Sequence, residues 1–117
     1  MLNNEIIQRL QENAFARSTF SQLQKDFFRV GIELALPDEI LENPHEFLEY
    51  LAKEVELVMH DAPHLMSQLL YIADLPESQI NQLFDEAEQP HRSLSEALLK
   101  RAAQKVLYRE KYKLGSL

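Results

Sequence analysis

Apolar residues recur along this chain at the three- and four-residue intervals of helices, in short blocks separated by asparagine, glycine and proline. Ile6, Ile7 and Leu10 predict a short first helix starting near Asn3 or Asn4. Ala16, Phe20, Leu23, Phe27 and Val30 share one face of a second, with Ser18 as its candidate N-cap and a break expected near Asn13–Ser18. Without that break, one helix over residues 4–30 would let its apolar stripe drift. Gly31 and Pro37 bracket a loop or a single turn. Asn43-Pro44-His45-Glu46 then combines an N-cap, a proline at the first helical position and a glutamate placed for a capping box. The helix behind it should bury Phe47, Leu48, Leu51, Val55, Val58 and Met59, with Glu46, Glu49, Lys53, Glu56 and His60 on the opposite side.

Pro63 restarts the chain into residues 64–73, whose Leu65, Met66, Leu69, Leu70, Ile72 and Ala73 leave only a narrow polar strip. This segment is the expected centre of the core. Asp74-Leu75-Pro76 turns into a helix carrying Ile80, Leu83, Phe84 and Ala87, and Gln89-Pro90 ends it. Ser93-Leu94-Ser95-Glu96 reads as the cap of a last helix reaching about Lys113. Leu99, Ala102, Ala103 and Val106 form its buried side, with Leu107 at the edge. The pattern predicts an all-α, compact single-domain bundle of about five or six helices, with the hairpin of residues 64–73 and 76–88 near its centre.

Composition narrows the chemistry. The 117 residues are 45% hydrophobic and contain no cysteine, which fits a reducing cytoplasm and leaves no thiolate nucleophile or disulfide. Two glycines cannot build a phosphate-cradling loop. No basic patch and long apolar run opens the chain, and no stretch nears the roughly 20 apolar residues of a membrane span. The expectation is a cytoplasmic protein with no membrane segment.

Charge divides the chain into three. Residues 1–36 balance at zero, the middle (37–90) carries −12, and residues 91–117 carry +5, for a total of −7. A middle of that sign repels phosphate and anionic lipid, making nucleic acid an unlikely partner for it. Residues 69–83 have helix-turn-helix spacing, but the would-be recognition helix offers Glu77, Asp85, Glu86 and Glu88 without one arginine or lysine. Asp74 also stands where that motif places glycine. The pairs Glu42…His45 and Glu88…His91 are interrupted by Pro44 and Pro90, and His60 and His64 are separated by Pro63. No metal-ligand spacing survives. No serine stands in a nucleophile elbow, so catalytic, metal and cofactor sites are all expected to be absent.

Three surfaces remain as candidates. Glu46, Glu49, Glu56, Glu77, Asp85, Glu86 and Glu88 form an acidic surface for a basic protein partner. Arg101, Lys105, Tyr108, Arg109 and Tyr112 form a basic strip suited to nucleic acid or an acidic partner, or to compensating the protein's own acidic middle. Phe28, Tyr50 and Leu57 lie outside their helices' main stripes and predict either a second intramolecular contact or a homodimer. The leading expectation is a non-enzymatic interaction protein using the acidic surface. An enzyme or a ligand- or metal-binding bundle, with His45, His60, His64 or His91 meeting carboxylates in a pocket, is the alternative, and nucleic-acid binding by the basic strip is the second.

Leu69-Leu70-Tyr71-Ile72-Ala73-Asp74-Leu75-Pro76-Glu77 resembles a segment of small, functionally uncharacterised helical proteins of bacteria. There a Leu-Leu-Tyr run precedes an Asp, an aliphatic residue and a helix-starting Ser or Pro before Glu. The likeness covers nine residues, departs at Ile72-Ala73 where an arginine is expected, and implies a helical fold but no activity.

Overall fold

A computed structural model describes residues 4–35, 43–86 and 90–115. Its described residues form six helices: α1 (Asn4–Leu10), α2 (Asn13–Phe28), α3 (Pro44–Asp61), α4 (Pro63–Ile72), α5 (Glu77–Glu86) and α6 (Pro90–Gly115). The bundle is all-α, and one continuous set of buried apolar side chains draws from α1, α2, α3, α4 and α6.

The first two helices are separate, but the break falls at Gln11–Glu12 and Ser18 is an exposed residue inside α2. Leu10 and Phe15 are both fully covered. On an unbroken helix their directions would differ by about 140°. Gln11 and Glu12 instead close tight i→i−3 bonds to Gln8 and Arg9 at 3.2 and 2.9 Å, and Glu12 adopts an extended backbone that turns both side chains inward.

Two helices end in the same way. After α2, the Ile32 amide bonds the Phe27 carbonyl at 3.0 Å and the Gly31 amide bonds Phe28 at 2.9 Å, with Gly31 at φ 84°. After α4, the Leu75 amide bonds the Leu70 carbonyl at 3.2 Å and the Asp74 amide bonds Tyr71 at 3.1 Å, with Asp74 at φ 63°. Both are Schellman closures, which need a left-handed residue. Glycine fills one, and aspartate, which tolerates that conformation better than most residues, fills the other. The Asp74 carboxylate also lies 3.6 Å from Lys105 on α6, a contact glycine could not make.

The α3 start follows the Asn-Pro part of its sequence signal: the Asn43 side chain accepts bonds from the His45 and Glu46 amides at 3.0 and 3.3 Å, with Pro44 at the first position. The α6 start does not. The helix opens at Pro90, three residues before Ser93, and the buried Ser95 hydroxyl donates back to the His91 carbonyl at 2.6 Å. Serine inside a helix satisfies itself by that back-bond, so the expected cap becomes an ordinary interior position.

The centre of the molecule is α6, not the α4–α5 hairpin. It packs against α3 and α2, and more lightly against α5. Leu94, Ser95, Ala97, Leu98, Leu99, Ala102, Ala103 and Val106 are all buried on it. Its small residues let neighbouring backbones approach from several sides, a weaker sequence signal than the leucines of α4. That helix buries Met66, Leu69 and Leu70 but leaves Leu65 and Ile72 partly covered and Tyr71 83% exposed. Phe20 and Phe47 join α2 to α3 edge-to-face at 6.1 Å. At 1.5 Å per residue the 26 residues of α6 span about 39 Å, close to the 42 Å long dimension of the molecule.

Candidate functional site

The outer row of α3 is Glu46, Glu49, Lys53, Glu56 and His60, all exposed, with Phe47, Leu48, Leu51, Ala52, Val55 and Val58 buried behind them. Spacings of three and four residues place the row along one line, about 15 Å from Glu46 to Glu56. The start of α6 reaches this row: Arg92 pairs with Glu49, and His91 Nε2 lies 3.1 Å from Glu56. Both carboxylates remain more than half exposed, so these pairs moderate the charge of the row without covering it. At its far end the Asp61 carboxylate, 2.9 Å away, hydrogen-bonds the His60 imidazole and raises its pKa. Glu77 is exposed at the start of α5. The side chains of Asp85 and Glu86, and the residues Glu42 and Glu88, lie outside the described residues; His45 is exposed in the first turn of α3.

The basic strip of α6 meets α2 at Lys105 and Arg109 and is open to solvent at its tyrosines. Lys105 Nζ stands 3.5 Å from Asp26, whose side chain is 6% exposed, and 3.6 Å from Asp74. Arg109 donates to the Gln22 Oε1 atom at 2.7 Å, and the Gln22 amide donates to Asp26 at 3.2 Å. Lys105 and Arg109 therefore help to join α6 to α2. Arg101 is different: its Nε is buried and has no hydrogen-bond partner among the described residues. Tyr108 and Tyr112 stay 78% and 71% exposed. A cleft of about 510 Å³ between the helices is lined by Gln22, Arg101, Gln104, Lys105, Tyr108 and Arg109.

Of the three residues outside their stripes, Tyr50 is half-buried and its hydroxyl donates to the Ala35 carbonyl, so its second contact is within the chain. Phe28 and Leu57 remain 68% and 55% exposed. A further groove, about 490 Å³, opens between α4 and α5 beside Leu70, Tyr71, Leu75 and Ile80. The periodicity treats the two helices as a closed hairpin, yet they touch only lightly. An exposed tyrosine in a leucine-rich block was the one signal of that opening.

A separate ion pair fixes the far end of α6: Arg9 of α1 grips Glu110 through two bonds at 2.9 and 3.0 Å, and its guanidinium stacks 4.6 Å above the Phe15 ring. Sequence reasoning could not find it, since 101 residues separate the partners. No helix among the described residues is long and apolar enough to cross a membrane. The chain matches no protein-family model, no curated protein and no solved structure.

Proposed function

We propose that this chain is a non-enzymatic cytoplasmic interaction protein that binds a basic protein partner through the outer row of α3. The observation that carries this reading is the line Glu46, Glu49, Lys53, Glu56 on a helix whose other side is locked into the core. A rigid carboxylate row presents charge at low ordering cost, which favours steering and register against a basic helix or loop. The absence of cysteine supports a reducing compartment. The test is capture of partners from the source cell at low salt, with wild-type protein and a Glu46→Lys/Glu56→Lys variant side by side. Basic proteins retained by the wild type and lost from the variant support the reading; equal capture by both contradicts it.

Self-association is the second reading, favoured by the exposure of Phe28 and Leu57. A Phe28→Glu/Leu57→Glu variant should then sediment at 13.7 kDa, and the wild type at twice that mass. A monomeric wild type at micromolar concentration removes this reading.

A further inference from the structure

We propose that the α2–α6 face binds single-stranded nucleic acid, with phosphates held by Lys25, Arg29 and Arg101 and a base stacked on Tyr108. The cleft beside Arg101 and Tyr108 adjoins a second, about 410 Å³, lined by Gln22, Lys25, Asp26, Phe28 and Arg29; Gln22 belongs to both. Their linings hold five cations, Lys25, Arg29, Arg101, Lys105 and Arg109, and one carboxylate, while a second carboxylate, the exposed Asp74, lies 3.6 Å from Lys105 at the edge of the face. The lining carboxylate, Asp26, is 4% exposed and turned onto Lys105, so it offers little charge outward. Lys25, Arg29 and Arg101 make no ion pair among the described residues; Lys25 and Arg29 are exposed, and Arg101, partly covered with its Nε buried and without a hydrogen-bond partner, still lines the cleft.

Aromatic exposure selects the ligand. Arg101, Lys105, Tyr108 and Tyr112 fall within about 60° of one another around α6. Towards the helix start the same side is buried at Leu94 and Leu98; beyond Arg101 it emerges with two tyrosines. Phe28 edges the second cleft. Exposed rings beside uncompensated cations are the combination that holds unpaired bases, each of which has a π-face to stack. An acidic polypeptide would use the cations and leave the rings bare, and a duplex keeps its bases stacked on each other. The −12 middle of the chain repels phosphate, but its α3 row is carried on a different helix from this face, and binding should be confined to low salt.

The test uses the full chain and a fluorescein-labelled single strand of about 15 nucleotides, within the site sizes of stacking platforms, read by anisotropy at low salt. The chain has no tryptophan and four tyrosines, so quenching of tyrosine emission reports stacking independently. Saturable binding is expected, weakening steeply with salt. Lys25→Glu/Arg29→Glu/Arg101→Glu should abolish it, and Tyr108→Leu should weaken it roughly ten-fold and remove most of the quench. Lys105 and Arg109 are left intact because they hold α6 to α2, and circular dichroism checks that each variant is folded. Absence of saturable binding overturns the proposal. So does binding insensitive to Tyr108→Leu, equal binding of the corresponding duplex, or displacement of the strand by polyglutamate at equal charge.

Discussion

Asp26 and Lys105 show how a single pair can matter more to the architecture than to the surface. Their side chains are 6% and 18% exposed, and they tie α2 to the central helix. Lys105→Met would leave Asp26 buried without its cation, and should cost about 3 kcal/mol, the lower end for breaking a buried pair because this one is long and still supported by Gln22. Replacing both, Asp26→Leu with Lys105→Met, should come much closer to wild type in a denaturant melt. A mild single variant would mean that water already screens the pair. Tyr50 gives a pH signature. Burial first, and then the Glu54 carboxylate, raise its pKa above the ordinary value of 10.0. Folding therefore holds the proton: the contribution is complete below pH 10.0 and lost as pH rises through the folded value. Tyr50→Phe should delete a late phase of the phenolate absorbance titration, and an unchanged titration would contradict this placement. In the core, Leu69 is fully covered, and Leu69→Ala should cost about 2–5 kcal/mol in thermal or denaturant melting.

At the scale of elements, helix ends decide how much could be read in advance. Asn43-Pro44 spells out the start of α3, because a side-chain acceptor and a proline act within one turn; Asn43→Ala should lower stability by about 1 kcal/mol. Gly31 was legible as punctuation, and its φ of 84° shows why. No neighbouring atom would meet an added Cβ, so Gly31→Ala should destabilise by about 1 kcal/mol through backbone strain alone. A neutral Gly31→Ala melt would show that the closure after α2 tolerates another geometry. The starts of α2 and α6 were misread for a common reason. Ser18 and Ser93 look like caps to local pattern, but tertiary burial of Leu10 with Phe15, and of Leu94 with Ser95, sets where those helices run. The all-helical class, the α3 row and the buried side of α6 around Leu99–Val106 were legible from periodicity. The centrality of α6 was not, since alanine and serine contribute by being small. Nor were the joints Arg9–Glu110 and Lys105–Asp26, which pair residues far apart in sequence.

Across the whole molecule, the sequence's acidic middle and basic end are partly folded back on one another. Arg92 and His91 meet the α3 row, and Lys105 meets Asp74. Among the described residues, the outward surface includes a moderated carboxylate line on α3 and a cationic, tyrosine-edged face on α2 and α6. The central claim is that the α3 line recognises its partner by charge. The most direct measurement is the salt dependence of a captured complex, compared between wild type and Glu46→Lys/Glu56→Lys with equal folding by circular dichroism. Wild-type complexes should dissociate as salt approaches about 1 M, where the Debye length is about 3 Å, and the variant should fail to form them at low salt. A complex that persists at that salt, or forms equally well with the variant, would contradict recognition through the α3 carboxylates.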